Sequence, residues 1–192
     1  SFVPNLEIYS IDEAFLDLHN LPYSNLFQLG VDIRKMVKKN VGIPTTVGIA
    51  NTKTLAKMAN RYAKKNYREI GVYCACDQDS INAILQFTDV YDIWGIGKAK
   101  ATLFRNKGYK NAADVIKAPE EWVRKEMSVV GLRLLKELKG VPAIELQFDA
   151  PAKKNICTSR SFGTLITDRK IIEEAVANYT ALCGVKLRKQ KS

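Results

Sequence analysis

Residues 45–76, TTVGIANTKTLAKMANRYAKKNYREIGVYCAC, decide the fold. TTVGIA is a short β-rich run and reads as a buried strand. Asn51 or Thr52 can cap the helix that follows, over about 52–65. Gly71 then precedes VYCAC, a second strand. On that helix Lys53, Lys57 and Lys64 fall within about 40° of one another at 100° per residue. Leu55, Met58, Ala59 and Tyr62 lie opposite. The helix therefore packs through one stripe and presents a lysine row on the other. A solvated charged face explains such a row, unless anionic groups stand before it.

Working toward the N-terminus, Gly42 and Pro44 stop a helix over about 24–39, in which Leu26, Leu29, Ile33, Met36 and Val37 recur at helical steps. Before it, residues 6–18 read as a β-hairpin carrying YSIDEAFLDL, residues 9–18. The β–α–β–α–β order indicates an α/β domain. Asp12 and Glu13 are adjacent in an otherwise apolar run. Two ionised carboxylates held together repel, and a divalent cation is the usual remedy; Mg²⁺ takes such oxygen ligands and shares them with phosphates. In a regular strand the pair would point to opposite faces, so the hairpin must turn or bulge there. An exposed turn that happens to hold two acids is the alternative.

Toward the C-terminus the strand signal stops near residue 80. Ser80 caps INAILQF. VYDIWGIGKAKATLFRNKG reads as two short helices around a Gly-Ile-Gly turn, Asn111 starts another helix, and PEEWVRKEM and GLRLLKELKG are two more. Gly95 and Gly97 let backbone N–H groups approach an anion at a helix N-terminus, with Lys98 and Lys100 beside them; this suits a DNA phosphate. A plain helical hairpin is the competing reading. Residues 141–154, with Pro142 and Pro151, read as a linker. ICTSRSFG reads as a strand and 168–188 as a helix.

Formal charge is +10, from 30 basic and 20 acidic residues among 192. It favours a polyanionic partner, nucleic acid before membrane. Residues 151–192 carry 9 basic and 3 acidic groups, the most polyanion-seeking portion. No apolar run approaches the roughly 20 residues of a membrane span. The start has neither the basic nor the apolar region of a signal peptide, and it enters a strand without an initiator Met, as a fragment would. Cys74, Cys76, Cys157 and Cys183 lack zinc-site spacing, as does the single His19, which suits free thiols in a reducing cytoplasm.

Four segments in order, YSIDEAFLDL, VGIANTKTLAKMANRYAKK, VYDIWGIGKAKATLFRNKG and ICTSRSFG, resemble the Y-family of translesion DNA polymerases, and within it the UmuC type. The resemblance implies an α/β (α+β) partial palm over 1–79, with a mixed sheet and packed helices. An all-helical thumb with a helix-hairpin-helix over 80–140 follows. After the 141–154 linker comes a truncated little-finger strand and helix over 155–192. It makes Asp12 and Glu13 two of three carboxylates for two catalytic Mg²⁺ ions, and Lys64, with Lys57 and Lys53, nucleotide-binding. Gly95, Gly97, Lys98, Lys100 and Arg160 become DNA-binding. The family's reaction adds dNTPs to a damaged primer-template in SOS-type repair. Its partners are an accessory UmuD-type subunit, a recombinase filament and a sliding clamp; its place is the cytoplasm.

The third metal-binding Asp and the fingers domain are expected N-terminal to this chain. Mg²⁺ binding should then be weak and polymerase activity absent. A sheet short of one strand should self-associate, and 155–188 should be unable to bury a core alone. A DNA-binding module without catalysis and a nucleotidyl cyclase are the competing classes; the helix-hairpin-helix and basic tail disfavour the cyclase.

Overall fold

The structure is a computed structural model that describes residues 3–19, 21–22, 24–148 and 155–190. The chain divides into two compact units, Ser1–Phe148 and Asp149–Ser192.

In the first unit the quoted β–α–β segment forms as read. Strand β3 (Val47–Ala50) pairs in parallel with β4 (Val72–Ala75), from Val47 against Val72 to Ala50 against Ala75. The connecting helix, α2 (Lys53–Asn66), is capped by Thr52, whose hydroxyl accepts from the Leu55 N–H. α2 buries Leu55, Met58 and Ala59, as the spacing predicts. Side-chain alternation assigns the two faces of the sheet. Val47, Ile49 and Val72 meet Gly30 of α1 (Leu26–Val41), while Gly48 meets the backbone of α2. Gly48 has no room for a side chain: a Cβ there would lie 2.1 Å from the Asn60 nitrogen and 2.3 Å from the Ala56 oxygen. Asn25 caps α1, and Gly42, at φ 77°, ends it.

The hairpin forms too, as β1 (Leu6–Ile8) antiparallel to β2 (Ala14–Leu16). It does not join β3 and β4. Among the described residues there are two separate two-stranded sheets, one antiparallel and one parallel, rather than a single mixed sheet. The hairpin's outward residues stay open to solvent, with Ile8 78% exposed, because no further strand or helix among the described residues covers them.

Helices follow from residue 78. α3 (Gln78–Phe87) starts three residues earlier than expected. Asp77 is its cap and Ser80 completes a capping box from the third helical position, because a carboxylate facing free N–H groups outcompetes a hydroxyl. The Ser80 N–H holds the Asp77 carboxyl below the usual range. The first of the two helices around Gly-Ile-Gly shrinks to a 3-10 turn, Val90–Asp92; the second is α4 (Lys98–Asn106). Asn111 caps α5 (Ala112–Val115) as read. The two final helices form one run, α6 (Glu120–Leu138), broken at Ser128 with φ 59°. Ile84, Val90, Ile93, Phe104, Val123 and Leu135 join Leu55 and Met58 in one core, so α2 and these helices share it.

Thr54, fully buried on α2, keeps its hydroxyl without a hydrogen-bond partner among the described residues. A desolvated, unpaired hydroxyl costs free energy, and valine has the same shape. Thr54→Val should stabilise the fold by about 1 kcal/mol, read as a rise in the urea midpoint at unchanged slope.

In the second unit α7 (Arg169–Lys189) buries no residue, and Ile171, Ile172, Val176 and Leu182 are exposed. This is the lack of a core expected for 155–188. The strand expected at ICTSRSFG is absent: residues 155–163 are irregular. A strand needs a ladder partner, and this unit offers a helix. Lys186 Nζ instead donates to the Cys157 carbonyl at 2.9 Å and to the Thr158 hydroxyl at 3.0 Å.

Candidate active site

The hairpin turns at the two carboxylates. The Tyr9 and Ser10 N–H groups both donate to the Glu13 carbonyl, each at 3.0 Å, which closes the tip around Asp12. Asp12 is exposed and accepts from the Ser10 hydroxyl at 2.6 Å. Glu13 reaches across to α2 and pairs with Lys57 at 2.8 Å, its side chain 49% exposed. The turn required of the hairpin is therefore present. In this state the acids have different partners, one local and one cationic.

The lysine row separates into two environments. Lys53 and Lys57 stand over the hairpin. Lys53 is enclosed: its ammonium lies 2.7 Å from Glu7, which is buried in β1, and 4.7 Å from the centre of the Phe15 ring. Lys57 sits 4.5 Å from the Tyr9 ring centre. Tyr9, Phe15 and Trp94 touch one another with centroids 5.5 to 5.9 Å apart, and the Trp94 indole N–H donates to the Tyr9 hydroxyl at 2.9 Å. Aromatic faces attract ammonium groups, so this box holds both lysines beside the carboxylates. Trp94 immediately precedes Gly95 and brings the Gly-Ile-Gly turn against the hairpin.

Lys64 is two turns further along α2, about 10 Å from Lys57 on the helix axis. It lines an open cleft of about 510 Å³ with Arg34, Pro44, Thr45, Thr46, Lys65 and Arg68. Arg34 is a strut there, donating to the carbonyls of Thr45, Arg68 and Glu69. Lys64, Lys65 and Arg68 have no ion pair among the described residues.

At the Gly-Ile-Gly turn, Gly95 has φ 93° and Gly97 is the N-cap of α4, with no side-chain cap. The first N–H groups of α4 are thus open, and Lys98 beside them is exposed. Lys100 leans to Glu126 at 3.4 Å. Arg160 belongs to the second unit and is exposed.

Two carboxylates are absent from the motif reading, Glu7 and Glu137. Glu137 is fully buried on α6 and accepts from the Thr54 N–H at 3.0 Å, at the start of α2. It also accepts from the N–H groups of Ala143 and Ile144, at 2.7 and 3.1 Å. Glu7 accepts from the Gln147 N–H at 2.9 Å. The expected linker is therefore, over 141–148, a strap held by two buried acids; its remainder, 149–154, lies outside the described residues. The local signal for Glu7 is the alternation of β1, which turns it inward beside exposed Leu6 and Ile8.

Residues 1–61 match the impB/mucB/samB family. The chain is 42% identical over 97% of its length to Protein UmuC of Salmonella typhimurium, covering 44% of that protein. It is 32% identical over its whole length to Protein MucB of Escherichia coli, covering 46% of it. It thus spans less than half the length of these relatives. Among solved structures, a DinB family error-prone DNA polymerase from Sulfolobus solfataricus matches 77% of the chain with a TM-score of 0.61 at 25% identity, over 44% of that structure. An insertion ternary complex of Dbh DNA polymerase matches 72% of the chain with a TM-score of 0.59 at 27% identity, over 40% of that structure.

Asp12 and Glu13 supply the oxygen donors that hard divalent ions take. They are two in number: no group of three or more His, Cys, Asp or Glu residues suited to a metal occurs among the described residues. The residues fit Mg²⁺ in kind, as part of a ligand set. No helix among them is long and apolar enough to cross a membrane.

Proposed function

We propose that this chain is a palm and thumb portion of a Y-family translesion DNA polymerase. The observation that carries this reading is Glu13, at a hairpin turn, within 2.8 Å of Lys57 on α2. A carboxylate pair flanked by ammonium groups suits a metal–nucleotide complex, whose charges have both signs.

Asp12 and Glu13 would hold a divalent ion, one of two in the longer protein. When bound, Mg²⁺ supplies charge neutralisation at the nucleotide phosphates. Lys57, paired with Glu13 in this structure, would turn to the phosphates once Glu13 served as a metal ligand. Lys64, one triphosphate length along α2, takes their far end. Lys53, sealed against Glu7, orients the hairpin. The open N–H groups at Gly97, with Lys98, hold a duplex phosphate, and Lys100 and Arg160 add positive potential. In the longer protein the primer 3′-oxygen bonds to the α-phosphorus of a dNTP and pyrophosphate leaves. To that protein we also assign damaged templates, the accessory UmuD-type subunit, the recombinase filament and the sliding clamp.

A non-catalytic DNA-binding module is the second reading, favoured because no third acid joins the turn among the described residues. One pair of assays separates the two. Duplex DNA should bind this chain with a steep salt dependence, and Lys98→Ala with Lys100→Ala should lower the slope by about 1 to 2. Mn²⁺ titrated by electron paramagnetic resonance should bind weakly, and Asp12→Asn with Glu13→Gln should abolish that binding. Salt-dependent DNA binding with no Mn²⁺ signal would select the binding module. Primer extension should be undetectable with these 192 residues; measurable extension would overturn the assignment of two carboxylates as an incomplete set.

A further inference from the structure

Cys74 and Cys76 lie outside the site described above. Both thiols are free, Cys76 exposed and Cys74 half-buried. They stand on one face of the strand direction, because β4 alternates: Val72 faces α1, Tyr73 packs on Tyr62 of α2, and Cys74 returns to the α1 side. Cys76 follows the last ladder pair, Ala50 with Ala75, so sheet hydrogen bonding does not fix it.

Two steps of extended chain separate the Cα atoms by about 6.6 Å, within the upper limit of about 6.8 Å for a disulfide. A small bend at Cys76, where the ladder has ended, closes the remaining gap. Such a bridge stays near its geometric limit and is readily reduced again.

The thiols also interact chemically. The Cys74 side chain beside it lowers the Cys76 pKa to about 7, against the opposing effects of burial and Asp77, and Cys76 in turn pushes Cys74 up. The accessible sulfur is therefore the one that ionises, and its neighbour keeps its proton.

We propose that Cys74 and Cys76 form a reversible oxidation site for hydrogen peroxide, with Cys76 the attacking sulfur and Cys74 the resolving one. The Cys76 thiolate attacks one peroxide oxygen. The O–O bond breaks, hydroxide leaves, and Cys76 becomes a sulfenic acid as the peroxide is reduced. The Cys74 sulfur then attacks the Cys76 sulfur. The S–S bond forms, the S–O bond breaks, and the departing hydroxide takes the Cys74 proton as water. An external dithiol reverses the change.

Residues 69–97 contain no Lys or Arg, so trypsin leaves both cysteines in one peptide, apart from Cys157 and Cys183. The whole chain is treated with limiting peroxide, alkylated, digested and weighed. The peptide should carry no alkyl group and weigh two hydrogen atoms less than its unmodified dithiol, and dithiothreitol before alkylation should restore labelling at both cysteines. Cys74→Ser should abolish that loss and leave a dimedone-trapped sulfenic acid at Cys76. In Cys76→Ser, Cys74 should stay reduced. At neutral pH Cys76 should alkylate severalfold faster than the exposed Cys157. A persistent dimedone adduct in the parent chain, a disulfide to Cys157 or Cys183, or equal reactivity of Cys76 and Cys157 would each overturn the proposal.

Discussion

Gly48→Ala should lower stability by about 3 kcal/mol or more, and Gly48→Val should prevent folding. The added methyl carbon meets the backbone of α2 at Ala56 and Asn60, and backbone cannot swing aside as a side chain can. Relief requires lifting α2 from β3. That would disturb the contacts of Leu55 and Met58 with the helical region and the stance of Lys53 and Lys57 over the hairpin at once. For a chain of this size the alanine variant should melt about 10 °C lower. Gly97→Ala is the control, because nothing lies within 4 Å of its Cβ position; its melting temperature should move little. A Gly48→Ala protein that melts with the parent would show that α2 does not sit against β3 as described.

The second large effect is at Glu137. Glu137→Ala strands three backbone N–H groups, that of Thr54, which is buried, and those of Ala143 and Ile144, which are partly buried. Each buried donor left unpaired costs about 1 to 3 kcal/mol, and part of that is recovered by water entering beside the strap. The expected loss is about 4 kcal/mol. Glu137→Gln should lose about half as much. Its single oxygen can still accept from Ala143 and Ile144, while its amide then faces the Thr54 N–H, donor against donor. Denaturant titration distinguishes the two. Hydrogen exchange should show faster opening at Ala143 and Ile144 in both variants before any change within α4. An alanine variant as stable as the parent would remove Glu137 from its role.

The part of the fold legible in the sequence is the part built from local pattern. The β–α–β segment shows two short strand-forming runs and a helix whose apolar stripe opposes its lysines, and both the pairing and the buried face follow. The hairpin was legible because Asp12 and Glu13 interrupt an apolar run where a turn can accommodate them. Glu137 was not: within GLRLLKELKG it resembles any helical acid, and its partner Thr54 lies 83 residues away. Glu7 hides similarly, since Lys53 is 46 residues on. ICTSRSFG misleads in the other direction, because a strand-like composition cannot form a ladder beside a lone helix. The lysine row shows both outcomes. Its angular spacing is right, yet only the neighbours decide that Lys53 is sealed, Lys57 is paired and Lys64 faces a cleft.

The strap over 143–147 is gripped through its peptide groups and not through its side chains. The amides of Ala143, Ile144 and Gln147 are recognised by acid oxygens, whatever residue bears them. So far as those bonds go, this ribbon is chemically anonymous, and drift in its letters leaves the seam closed. Proline is the exception, since an imino acid has no hydrogen to offer, and at any of these three places it would unpick the stitch.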